Sequence, residues 1–132
     1  MKMKDLIAKH FNFLLDNGFQ EDREVYYKLL YISTFTDKDD WKIVISVNVR
    51  DDYVDMKIKR PTKVLLNIEY GKVIKRHEFN GLEDLLLATE NIYAEVRNAR
   101  RRFSKKYIVA ILTLYANFIK DNFTNITGRT IV

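Results

Sequence analysis

Cysteine is absent from this chain of 132 residues, proline occurs once, histidine twice and glycine four times. Each scarcity removes a class of chemistry. Without cysteine there is no disulfide framework, no thiol nucleophile and no thiolate-bound zinc. A transition-metal site built from protein alone usually takes three or four His, Cys or carboxylate ligands, and only His10 and His77 are on offer. His10 falls on the apolar stripe of the first predicted helix, where a core or edge residue is expected. His77, beside Glu78, reads as a solvated strand residue. Four scattered glycines cannot form a phosphate-cradling loop. None of Ser33, Ser46 and Ser104 lies in a G-x-S-x-G turn between strand and helix. Asp37, Asp39 and Asp40 resemble the opening of a calcium loop but lack its glycine and its closing glutamate, so a plain turn is expected. Paired carboxylates at Asp39/Asp40, Asp51/Asp52 and Glu83/Asp84 fall in turns or a first helical turn, where acids serve structure. Neither an enzyme nor a cofactor is expected.

Long apolar runs are missing too. The longest, from Tyr107 to Ile119, is interrupted by Thr113 and Asn117 and falls short of the ~20 residues a spanning helix needs. No membrane association is expected. Met1-Lys2-Met3-Lys4-Asp5 passes directly into an amphipathic pattern with no signal-like apolar core, which places the expected location in the cytoplasm.

What is present suffices for a core. Apolar residues make up 47% of the chain and aromatic residues 13%, in a length typical of one domain, 1–132. Met3, Leu6, Ile7, His10, Phe11, Leu14 and Leu15 form one helical stripe over 3–17. Gly18 stands where a left-handed residue would end that helix. The period then changes to two. Val25 to Phe35 reads as one long strand, Trp41 to Val49 as the clearest strand, Val54 to Ile58 as a third, Val64 to Tyr70 as a fourth and Val73 to Phe79 as a short fifth. Short turns between them require antiparallel pairing. Asn80 with Glu83 marks a helix start. That helix runs to about residue 103, and a last helix spans about 105 to 121; the two read equally as one long bent helix. From Asn122 onward the pattern looks frayed. The expected class is α+β: an N-terminal helix, a four- to five-stranded antiparallel sheet and two C-terminal helices packed on one face.

Two features stand out as binding surfaces. The net charge is +5, distributed as −2 over residues 1–40, +4 over 41–80 and +3 over 81–132. Arg97, Arg100, Arg101, Arg102, Lys105 and Lys106 gather six cations with no acid among them. On a helix Arg97, Arg101 and Lys105 share a stripe, and like charges four apart repel by a few tenths of a kcal/mol. The segment is either an anion or nucleic-acid site or a solvated helix face. A second basic group, which includes Lys57, Lys59, Arg60, Lys63, Lys72, Lys75 and Arg76, falls on the predicted sheet, where exposed lysines also guard strand edges. The last helix is apolar nearly all round. Its Ile108, Ile111, Leu112, Tyr115, Phe118 and Ile119 are either the central core or a face meeting another protein or a second copy.

The segment from Asp5-Leu6-Ile7 through His10-Phe11-Asn12-Phe13-Leu14-Leu15-Asp16-Asn17-Gly18-Phe19, with a Tyr-rich strand after it and Gly81-Leu82-Glu83-Asp84-Leu85-Leu86 opening a later helix, resembles small bacterial α+β proteins of unknown function. Some of those are similar to immunity proteins of toxin systems. The resemblance covers the first helix and the order of elements. It implies no shared catalytic residues and no site to carry over. Frequent Lys, Ile and Asn suggest an AT-rich bacterial genome. The basic charge argues against a nuclease target, whose inhibitors are usually acidic. The expectation is a non-enzymatic bacterial protein acting by protein–protein interaction, immunity- or inhibitor-like or homodimeric. The alternative is nucleic-acid binding through the basic helix 97–106.

Overall fold

The structure is a computed structural model and describes residues 2–51, 53–60, 63–69, 72–76 and 105–132. Helix α1, Met3–Leu15, buries Leu6, Ile7, Phe11 and Leu14. It stops because Gly18 adopts φ +88°, which lets the Phe19 N–H return to the Leu14 carbonyl at 3.0 Å. The Asn17 side-chain amide also donates to the Phe13 carbonyl, 2.6 Å. A methyl group at Gly18 would meet the Arg129 guanidinium at 3.2 Å. Gly18→Ala is therefore expected to cost about 1–2 kcal/mol by chemical denaturation, mostly from the left-handed backbone.

Six strands follow: β1 Gln20–Tyr26, β2 Leu30–Thr36, β3 Lys42–Asn48, β4 Tyr53–Arg60, β5 Lys63–Glu69 and β6 Lys72–Arg76. They pair in sequence order as one antiparallel meander. Alternation fixes the register. Ile43, Ile45 and Val47 on β3 stand opposite Ile58, Met56 and Val54 on β4, and all six are buried. Slipping either strand by one residue would turn this whole set to the other face.

The predicted long strand from Val25 to Phe35 is instead a hairpin, β1 and β2 joined through Tyr27–Leu29. That split adds a strand to the expected count. Tyr27 and Lys28 both have positive φ, 54° and 57°, and the Leu29 N–H bonds back to the Tyr26 carbonyl at 3.0 Å. Such reversals usually carry Asn and Gly. Here neither is present, so no turn signal shows in the sequence. The reversal also has an odd number of residues, so the inward positions run unbroken from Val25 on β1 to Tyr31 on β2, which stand opposite each other.

The β2–β3 turn is built as expected, by Asp37. Its Oδ1 accepts the N–H groups of Asp39 and Trp41 at 3.0 and 2.9 Å. Helix α2, Lys105–Asp121, and the short helix α3, Phe123–Thr127, complete the described chain. The Tyr115 hydroxyl donates to the Val54 carbonyl at 2.7 Å, pinning α2 to the sheet. Phe11 of α1 lies 5.9 Å from Phe35 of β2, centroid to centroid. Both helices thus cover one face of the sheet and share a single core with it. The helix predicted from Asn80 to about 103, and its continuity with α2, lie outside the described residues.

The segment after Asn122 is not frayed. Phe123 and Ile126 are buried, and Gly128 closes α3 with φ +74°.

Candidate functional site

Most of the polar chemistry in the described chain is already consumed by structure. His10 Nδ1 lies 2.8 Å from the Leu6 carbonyl; a carbonyl can only accept, so Nδ1 carries the proton and is spent within its own helix. Asp37 is saturated. With Oδ1 holding the turn, its Oδ2 accepts from Arg129 Nη2 at 2.7 Å, and its side chain is fully buried. Arg129 also donates to the Asn17 carbonyl at 3.1 Å. Its guanidinium lies 5.8 and 5.7 Å from the ring centres of Phe19 and Phe123. The Asn17 side-chain oxygen in turn accepts the Val132 N–H, 2.7 Å. This clasp ties the end of α1, the β2–β3 turn and the C-terminal segment together. Its carboxylate accepts three hydrogen bonds, all from groups that hold the fold. Among the described residues no group of three or more His, Asp or Glu could hold a metal, and no described helix is long and apolar enough to cross a membrane.

The six apolar side chains offered as an interface require correction. Ile108, Ile111, Leu112, Tyr115, Phe118 and Ile119 are all buried within the single chain. The sheet lies on one side of α2, with α1 and α3 on others, so these residues fill the core and present no face to a second copy. Of the basic segment, Lys105 and Lys106 are exposed at the first described residues of α2. Arg97, Arg100, Arg101 and Arg102 lie outside the described residues, as does His77.

Among the described residues, the exposed large apolar side chains other than Leu15 and Val132 gather at the far end of the β1–β2 hairpin. Tyr27 is 93% exposed and Val25 and Tyr26 each 45%; Leu29 and Val49 are exposed beside them. The Val49 N–H donates to the Leu29 carbonyl at 2.8 Å, joining the β3–β4 turn to the tip. That turn is itself pinned, since the Asn48 side-chain oxygen accepts the Asp51 N–H at 2.8 Å. The Tyr31 hydroxyl holds the reversal from below through the Lys28 carbonyl, 3.0 Å. The Tyr26 hydroxyl donates to the Glu24 carboxylate. That bond, and the charge of Glu24, push the phenol above its ordinary value. Strand β1 runs up to this tip as one outer strand of the sheet and carries Glu21, Asp22 and Glu24. The tip was hidden in the sequence inside the predicted long strand. One signal could have exposed it: Val25 to Phe35 is about twice the usual strand length.

Compared with protein-family models, curated proteins and solved structures, the chain matches none.

Proposed function

We propose that this is a non-enzymatic binding module of the bacterial cytoplasm that docks onto another protein through the tip of the β1–β2 hairpin. The observation that carries the reading is the exposed set Val25, Tyr26, Tyr27, Leu29 and Val49, raised on a strained reversal. Tyr is an interface anchor because it offers a large contact area with few rotamers to freeze. Two residues without glycine's freedom in left-handed backbone cost about 1–2 kcal/mol each. Strain of that kind gathers at functional positions. Asp22 and Glu24, exposed on the strand that leads to the tip, favour a partner with a basic rim. The chain is basic as a whole, yet the strand leading to this tip exposes Asp22 and Glu24, which suits an inhibitor-like role of the immunity-protein kind.

The test separates stability from binding. Tyr27→Gly removes an exposed side chain and the left-handed penalty together, so it should raise stability by up to about 1 kcal/mol while binding is lost. Affinity capture from the source cell with the wild type and with a Val25→Ser/Tyr27→Ser/Leu29→Ser variant supplies the second arm. A stoichiometric protein held by the wild type and released by the variant, at equal melting temperature, supports the reading. Identical retention by both would sink it.

A further inference from the structure

The clasp at the end of α1 encloses a dipeptide with a reaction of its own. Asn17 is followed by Gly18. In such a pair the backbone nitrogen of the glycine can attack the side-chain carbonyl carbon of the asparagine. Glycine has no Cβ to crowd that nitrogen and no side chain to restrict its backbone, so the attack meets less hindrance than before other residues.

In the closed clasp Asn17 is held away from this reaction. Its side chain turns back along α1, where Nδ2 donates to the Phe13 carbonyl at 2.6 Å. Its Oδ1 accepts the Val132 N–H at 2.7 Å. The main chain is fixed as well. The Asn17 N–H donates to the Leu14 carbonyl at 3.0 Å, and the Asn17 carbonyl accepts from Arg129 Nη1 at 3.1 Å. The residue is buried. Beyond Gly18, the bond from the Phe19 N–H to the Leu14 carbonyl limits how far the glycine can turn.

The restraints from Val132 and Arg129 belong to a segment with neither helix nor strand from Arg129 to Val132. Segments of that kind open locally without global unfolding. The closed clasp also carries a defect that opening relieves: Arg129 Nε is buried with no acceptor among the described residues, and a donor left unmade in the interior is unfavourable.

We infer that Asn17 is a latent deamidation site and that the clasp of Arg129 and Val132 sets its rate. When the clasp opens, Asn17 loses both bonds and its Cγ can swing towards the Gly18 nitrogen. That nitrogen gives up its proton and bonds to Cγ. The Cγ–Nδ2 bond breaks, and Nδ2 takes up a proton and leaves as ammonia, closing a cyclic imide. Water then opens the ring at either carbonyl, leaving aspartate or isoaspartate at position 17. No other reactant is needed. Either product carries a carboxylate where the amide stood. It cannot donate to the Phe13 carbonyl, and it competes with Asp37 for the Arg129 guanidinium. Isoaspartate also adds a methylene to the main chain before Gly18. The clasp cannot close again as it was, so a reversible opening becomes a permanent one. This site lies apart from the hairpin tip and does not depend on its role.

The test keeps the full chain in mildly alkaline buffer and follows, by peptide mass spectrometry, the fraction of position 17 converted to aspartate and isoaspartate. Native wild type is compared with wild type in urea, with native Arg129→Met and with native Ile111→Ala, which weakens the core on α2 outside the clasp. A reaction that needs local opening is slowed by the opening equilibrium, so native wild type should react at least about tenfold more slowly than in urea, and Arg129→Met at least about fivefold faster than native wild type. Ile111→Ala should stay within about twofold of the wild type, because it eases global unfolding and leaves the local opening alone. Arg129→Lys keeps a charge beside Asp37 without the fork that also reaches Asn17; it should accelerate the reaction in a folded chain even where Arg129→Met unfolds. Three results would overturn the inference: native wild type reacting as fast as in urea, no acceleration in either Arg129 variant, or equal acceleration by Ile111→Ala.

Discussion

Arg129→Met is expected to destabilise the protein by about 3 kcal/mol, read as a shift in the urea midpoint at unchanged slope. Removing one member of a buried pair typically costs 3–5 kcal/mol because the other charge is stranded. The lower end applies here. Asp37 is wholly buried, but the Arg129 side chain is 31% exposed, so water screens part of the interaction. The Asn17 carbonyl loses a donor in the same step, and the rings of Phe19 and Phe123 lose the cation beside them. A double-mutant cycle isolates the pair. Asp37→Asn leaves an oxygen to accept from Asp39 and Trp41, so Arg129→Met in that background should cost markedly less than in the wild type. Equal costs in both backgrounds would show that the ion pair is not the source of the effect.

The second large effect concerns α2. Ile111→Ala and Leu112→Ala should each cost about 2–5 kcal/mol, the range for deleting a buried aliphatic side chain. Both residues are buried within the single chain. The melting temperature of wild type and variants should not change with protein concentration. An interface between copies would behave otherwise, since association stabilises by mass action. A melting temperature that climbs with concentration, and a climb abolished by Leu112→Ala, would return these side chains to an interface.

Much of the fold is legible in the sequence wherever one periodicity runs undisturbed. The stripe of α1, the alternation of Ile43, Ile45 and Val47 against Val54, Met56 and Ile58, and the end of α2 near residue 121 all follow from spacing. The hairpin reversal does not, because Tyr27 and Lys28 carry no turn chemistry and the odd loop preserves the alternation across it. What holds Tyr27 and Lys28 in left-handed backbone is non-local: the β1–β2 ladder from Gln20 opposite Thr36 to Tyr26 opposite Leu30, and the bond from Val49. The C-terminal segment is illegible for a related reason. Thr124, Asn125, Thr127 and Gly128 read as polar coil, and only the distant Asp37 and Asn17 give Arg129 its place. Of the candidate sites, the lysines of β4 are visible in the sequence as a basic group. That Lys59 stands directly opposite Lys42 needs the register. The choice between core and interface for α2 needs to know what surrounds it.

The order of elements also sets a timetable for synthesis. The six strands pair with their neighbours in the chain, so each hairpin can close soon after it leaves the ribosome. Helix α1 emerges first, yet part of its apolar stripe waits for α2, whose first residue is Lys105. At about 5–20 residues per second the interval is on the order of 5–20 s. Throughout it Leu6, Ile7, Phe11 and Leu14 lack the cover of α2, and for those seconds the nascent chain is a client for whatever holds exposed apolar helices near the ribosome.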